Sequence, residues 1–333
     1  MNALLFDRPV WFATGPLILE EAHEMEDFSY HRPVLAPETV ELLAPRPGSL
    51  VVDATCGGGG HTEAILKTGA DVLALDQDPD AIEYAREQLA HVGPRVTLRQ
   101  ANFRNADKIL DELGISVIGG ALIDLGVSSR QLENAERGFS MMRNGPLDMR
   151  MDPWNQLNTA ADIVNNYSEE QLTQLFRDLG EEPAARRIAG VIVKTRKTTP
   201  FRETLPLARA IEKVVGRHGR RHPATQAFQA LRMEVNDELG ALEQGLGVLT
   251  SRLETGARIA VISFHSLEDR IVKNFFRDRS REWLDRPEWP EPKRNPEYSL
   301  NLITSKPVEP GEEEQRANPR SRSAKLRVAE KLG

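Results

Sequence analysis

Short apolar runs alternate with helix-like stretches along the first 125 residues. Leu50-Val51-Val52 runs into Asp53, and the glycine turn Gly57–Gly60 precedes a stretch that can open a helix, His61 to Leu66. Ala70 to Leu75 is a second run and ends on Asp76. Pro79 suits the first turn of the next helix, where Ile82, Ala85 and Leu89 share a face. Val96 to Gln100 leads into Asn102 and Phe103, and Val117 to Leu125 carries Asp124 at its end. Strands alternating with helices predict an α/β fold with a parallel sheet and a ligand at the carboxyl ends of the strands. Asp53, Asp76, Phe103 and Asp124 all fall at such ends.

The second half reads differently. Arg137 to Asp152 is rich in Met, Gly and paired charges, which suggests an ordered loop over a site. From about 158 to 215 the period is helical: Leu172, Leu175, Phe176 and Leu179 form one face, Ile188 and Ile192 another, and Leu205 to Val215 a third helix. His222 to Leu246 reads as one long helix through Phe228, Leu231, Val235, Leu239 and Leu242. A fifth strand, Gly256 to Phe264, follows. Ser299 to Pro307 and Ala324 to Leu332 suggest a closing antiparallel pair, separated by the polar segment Glu309 to Ser323. The expected organisation is a sheet domain from 29–140 and 223–333, with a helical insertion, 141–222, between strands four and five. Residues 1–28 lack the pattern of a signal peptide and are expected to be a poorly ordered extension.

Bulk composition narrows the class. The 333 residues are 40% hydrophobic and 28% charged, as in a globular protein, and the longest apolar stretches are too short to span a bilayer, which argues against a membrane partner. The single cysteine, Cys56, excludes an internal disulfide framework and fits a reducing, cytoplasmic setting; it reads as a packing residue of the glycine turn. No His/Cys/carboxylate set has metal-ligand spacing, so no metal is expected. The net charge of −7 is unevenly spread: Pro183 to Met233 holds twelve basic residues against Glu203 and Glu212, which makes that segment +10 and the remainder −17. Such a split points to a local surface for a polyanion. Arg186, Arg187, Lys194, Arg196 and Lys197 are its candidate polyanion contacts.

The glycine turn lets backbone approach a ligand with no Cβ in the way, and an acid about 20 residues further on can accept two ribose hydroxyls. An NAD(P) oxidoreductase shares these two features, but needs a substrate domain with its own proton donor. It leaves the small-residue turn Gly126-Val127-Ser128-Ser129 unexplained. A methyltransferase acting on DNA or protein, and a non-catalytic RNA-binding assembly factor, are the other readings.

The motifs, taken in order, are His31-Arg-Pro33-Val-Leu, Cys56-Gly-Gly-Gly-Gly-His61, Asp124-Leu-Gly-Val-Ser-Ser129, Glu136-Arg-Gly-Phe-Ser140, Pro146-Leu-Asp-Met-Arg-Met-Asp152, His222-Pro-Ala-Thr225 and Ser263-Phe-His-Ser-Leu-Glu-Asp-Arg270. From about residue 29 to the end, the chain closely resembles the bacterial 16S ribosomal RNA cytosine-N4 methyltransferase family, which uses S-adenosylmethionine. The resemblance implies a class I (Rossmann-like) methyltransferase sheet and, as partner, 16S rRNA within the small ribosomal subunit, the target being a cytidine of its decoding region. A homodimer is compatible with it. It also implies that Gly59, Gly60 and His61 contact the methionine end of the cofactor, Asp76 holds its ribose, and Phe103 packs beside the adenine. Asp124 and Gln131 would lie around the sulfonium and target. The stacking aromatic that many amino-methylating DNA enzymes carry after the fourth strand is missing, leaving Phe139 or Trp154 to supply it. A cytosine amine is a poor nucleophile because its lone pair is delocalised, so an acceptor on its N–H assists in-line methyl transfer. Asp124 could be that acceptor, or could bind the cofactor's amino group; both readings stand at this level.

Overall fold

The computed structural model of the chain describes residues 33–217, 222–285 and 287–333. The expected extension 1–28, His31 of the first motif, and Arg220 and Arg221 of the basic segment lie outside these residues.

Nine strands and thirteen helices follow one another among the described residues. Helix α1 (Ala36–Leu43) precedes β1 (Leu50–Asp53), α2 (Gly60–Leu66), β2 (Asp71–Asp76), α3 (Pro79–Gln88), β3 (Val96–Gln100), α4 (Ala106–Glu112) and β4 (Ile118–Asp124). Then come α5 (Ser129–Glu133), α6 (Ala160–Asn166), α7 (Glu169–Asp178), α8 (Ala185–Arg196), α9 (Thr204–Val215), α10 (Thr225–Asn236) and α11 (Glu238–Arg252). The chain returns through β5 (Leu253–Ser263), α12 (Ser266–Arg279), a two-residue hairpin β6 (Trp283–Leu284) and β7 (Lys293–Arg294), β8 (Leu300–Leu302), α13 (Glu312–Ala317) and β9 (Lys325–Lys331).

Seven strands form one sheet in the order β3-β2-β1-β4-β5-β9-β8. The first five are parallel, while β9 pairs antiparallel with both β5 and β8. The parallel strands are buried on both faces. Val51, Val72, Ala74, Leu122 and Ile262 pack under α1, α2 and α3, while Val52, Leu73, Leu75, Ile123 and Val261 face α4, α11 and α12. Alternate side chains on each strand therefore go to opposite layers, which is why these runs read as continuously apolar. The chain order reverses between β1 and β4, and at such a switch point the carboxyl ends of the strands open a crevice.

Helices α6 to α10 and the loop from Phe139 to Met151 share a separate core built on Phe176, Ile188, Ile192, Leu207, Ile211 and Leu231. Ser168 caps α7 in a reciprocal box with Gln171, and Thr159 and Asp162 do the same for α6. The single long helix expected from His222 to Leu246 is two helices. Asp237 takes a left-handed conformation (φ 46°) between α10 and α11, and Arg104 of the sheet domain holds both its carbonyl and its carboxylate. The apolar period continues across the break because both helices bury their faces, so periodicity alone cannot show it.

Candidate active site

The crevice over β1, β2 and β4 is a cavity of about 190 Å³. Gly60, His61, Asp76, Phe103, Asp124 and Gln131 all line it, and Gly59 caps the adjoining helix α2. The basic residues of α8 do not line it.

The glycine turn is held by acids. Gly57 N–H donates to Asp76 Oδ2 at 2.8 Å and Asp78 N–H donates to Oδ1 at 2.9 Å. Gly59 has φ +85°, and a Cβ there would sit 3.1 Å from Leu89. Behind the turn, Asp53 accepts from Thr62 Oγ1 at 2.6 Å and is fully buried. Burial raises the pKa of both acids above the ordinary carboxylate value, and Asp76 is pushed up to about 7 although its two N–H bonds pull the other way. Burial also pushes the Cys56 thiol well up, so the turn holds a packed thiol and no ready thiolate.

At the end of β4 the polar groups are incompletely paired. Asp124 N–H donates to Thr55 Oγ1 at 2.6 Å, which fixes its backbone, while Oδ1 is buried with no hydrogen-bond partner. His61 Nε2 stands 3.4 Å from Asp124 Oδ2, a charge contact and not a well-formed hydrogen bond; neither ring nitrogen has a hydrogen-bond partner. Burial lowers the imidazole pKa, but Asp124 and then Asp53 outweigh it and leave it above its ordinary value. Buried acceptors without partners are uncommon in folded proteins and mark a place for a ligand.

Gln131 lines the cavity with its amide engaged at both ends. Its Oε1 accepts Ser128 N–H, and its Nε2 donates to Asp78 Oδ2 at 2.7 Å, so both ends of the amide pin the turn after Asp124 to the end of β2. Arg137 completes this hub. One nitrogen donates to Asp78 and Asp80, the other to the carbonyls of Arg150 and Met151. The loop through Met151 is further fixed by Asn236, which donates to Met149 O and accepts from Met151 N–H, with Met149 at φ +64°. Met151 reaches the cavity wall.

Phe103 lines the cavity with its ring against α11. A Cβ on Gly245 would lie 2.3 Å from Phe103 Cδ2, so that glycine alone lets helix and ring approach. Of the two aromatics considered for base stacking, Phe139 is buried in the core shared by α6 to α10, which removes it, while Trp154 is 75% exposed. His265 is engaged structurally: it caps α12 and meets buried Glu268 at 3.0 Å. On α8, Arg186, Arg187, Lys194 and Lys197 are exposed, but Arg196 donates to Val164 O and Tyr167 O at the end of α6.

The residues present fit S-adenosylmethionine. Asp76 keeps unused lone pairs for ribose hydroxyls, Phe103 offers an apolar wall for adenine, and Asp124 offers an unpaired acceptor for an ammonium or amine. A 3-2-1-4-5 parallel sheet closed by a reversed strand, with this site at its switch point, defines a class I S-adenosylmethionine-dependent methyltransferase. The sequence profile of the MraW methylase family matches residues 28–332, and the chain belongs to that family. It is 50% identical over 305 residues to the ribosomal RNA small subunit methyltransferase H of Carboxydothermus hydrogenoformans, covering 91% of this chain and 98% of that protein. It is 47% identical over 310 residues to the enzyme of the same name from Heliobacterium modesticaldum, covering 91% and 99%. No helix among the described residues is long and apolar enough to cross a membrane.

Proposed function

We propose that this protein methylates the exocyclic N4 amine of a cytidine in the decoding region of 16S rRNA, acting on the small ribosomal subunit. The observation that carries the reading is the unpaired, buried Oδ1 of Asp124, at the end of β4 in the cofactor cavity. The relatives, named as small-subunit ribosomal RNA methyltransferases, supply the substrate class. S-adenosylmethionine supplies an electrophilic methyl group. Asp124 Oδ1 would accept an N–H of the target amine, drawing its lone pair out of the ring and toward the methyl, and would take up the proton as the N–C bond forms and the methyl–sulfur bond breaks, S-adenosylhomocysteine being the leaving group. His61 stands beside Oδ2, and Thr55 and the Gln131–Asp78 hub hold the turn still while the groups align. Asp76 holds the ribose and Phe103 flanks the adenine.

Residues 141–222 form the recognition insertion in this reading, with Arg186, Arg187, Lys194 and Lys197 meeting phosphates and Arg196 keeping α8 fixed to α6. The test is to incubate the protein and labelled S-adenosylmethionine with small subunits lacking the modification, then map the methylated nucleotide. Label on the N4 of one cytidine is the expected result; label on another base, or on ribosomal protein, overturns the reading.

A further inference from the structure

The wall of the cavity is completed by a segment that the site motifs do not include. Between Val308, which bridges to Leu326, and β9, the chain forms α13 and a 3₁₀ turn over Pro319–Ser323, and it brings Asn318 and Arg320 to the cavity. Glu314 of this strap accepts Leu35 N–H at 2.8 Å, so the strap is tied to the opposite rim.

Arg320 is the one arginine or lysine among the described residues that line the cavity, whose other charged walls are Asp76 and Asp124. Its guanidinium donates from Nη1 to Ser129 Oγ, while its other contact, Glu133, lies 3.8 Å from Nη2, beyond hydrogen-bonding distance. A guanidinium has five N–H donors, so most of this one's capacity is unspent. Its side chain is 37% exposed; burial lowers its pKa, and Glu133 offsets this only in part. Through Ser129 it touches the turn that follows Asp124, whereas Asp76 ends β2 and Phe103 follows β3.

We propose that Arg320 is an anion anchor for the substrate, binding a phosphodiester of the RNA strand that carries the target nucleotide and so offsetting the acidic walls of the cavity. This rests on the reading of the substrate as RNA. A planar guanidinium can grip two phosphate oxygens at once, and the Ser129 hydroxyl keeps its plane fixed until they arrive. The other source of an anionic oxygen pair is the carboxylate of the cofactor.

Three full-length proteins, the parent, Arg320→Ala and Arg320→Lys, separate these sources. Binding to unmodified small subunits is followed against salt, and binding of S-adenosylhomocysteine by calorimetry. For Arg320→Ala we expect subunit affinity to fall about fivefold at 0.1 M salt and the log–log salt slope to become shallower by about 0.7, the value for one single-strand phosphate contact. S-adenosylhomocysteine affinity should stay unchanged, and Arg320→Lys should restore the slope because it keeps the charge. Weaker S-adenosylhomocysteine binding with a parental salt slope would assign Arg320 to the cofactor carboxylate and overturn the proposal. Loss of both affinities with a lowered Tm, not restored by lysine, would reduce Arg320 to a strap fastening and overturn it too. If the parent binds subunits and Arg320→Ala matches it, the proposal alone fails; if the parent does not bind subunits, the RNA reading fails with it.

Discussion

Asp76 shows how burial tunes one carboxyl for its ligand. Its pKa is pushed up to about 7 from 3.8, so the folded chain holds a proton there that the unfolded chain has released. Its contribution to stability is therefore intact below pH 3.8 and is lost as pH rises toward 7. In the proposed site, ribose hydroxyls donate to the ionised form, so the sign is opposite for cofactor binding. S-adenosylhomocysteine affinity should fall up to roughly tenfold per pH unit below about 7 and level off above it, with a proton released on binding at pH 6. Calorimetry in buffers of different ionisation enthalpy checks this, and Asp76→Asn should weaken binding at least roughly tenfold and abolish the proton release. At Asp124 the expectation concerns rate. Asp124→Asn should lower turnover about 100-fold while leaving cofactor affinity within roughly threefold, because the carboxylate acts on the amine in the transition state. Equal losses in single-turnover rate and affinity would make it a cofactor ligand only.

Among the elements, α11 has the most direct effect on the cavity. Gly245→Ala places a methyl where the Phe103 ring now lies, so the ring, which lines the cavity, must shift. The variant should lose about 1–3 kcal/mol of stability, read by denaturant unfolding, and bind S-adenosylhomocysteine more weakly. Unchanged affinity would remove Phe103 from the cofactor's surroundings. This contact also marks the boundary of what the sequence makes legible. The glycine turn, Asp76 and Asp124 are read easily because each sits in a local strand–turn pattern whose period and spacing carry the information. The closing pair, β8 and β9, is legible for the same reason. The rest depends on contacts between residues remote in sequence. Gln131 meets Asp78, Gly245 meets Phe103, and Asn236 grips the loop at Met149 and Met151. Asp237 breaks a helix whose apolar period runs on, because Arg104, 133 residues earlier, holds it. Arg320 looks like any other basic residue of a polar linker until the strap is laid across the cavity.

For the whole molecule, the uneven charge makes its own prediction. Replacing exposed Arg186, Arg187, Lys194 and Lys197 together with glutamine should weaken subunit binding, with a salt slope shallower by roughly 0.7 to 0.9 for each phosphate the protein no longer neutralises. S-adenosylhomocysteine affinity should not change, since none of the four lines the cavity. A parental salt slope would show that this face of α8 meets no RNA. The strap has a consequence for the making of the enzyme. A chain growing from its amino terminus has every acidic group of the cavity in hand once Asp124 has emerged. The wall made by Asn318 and Arg320, and the strand β9 that slots between β5 and β8 to hold it, come after all of them. Pro33 and Leu35, among the earliest residues of the fold, wait for Glu314 before that rim is tied. A nascent chain stopped before the strap lacks both the Arg320 cation and the strand that secures it. The acidic walls of the pocket are thus made well before the residues that close it over.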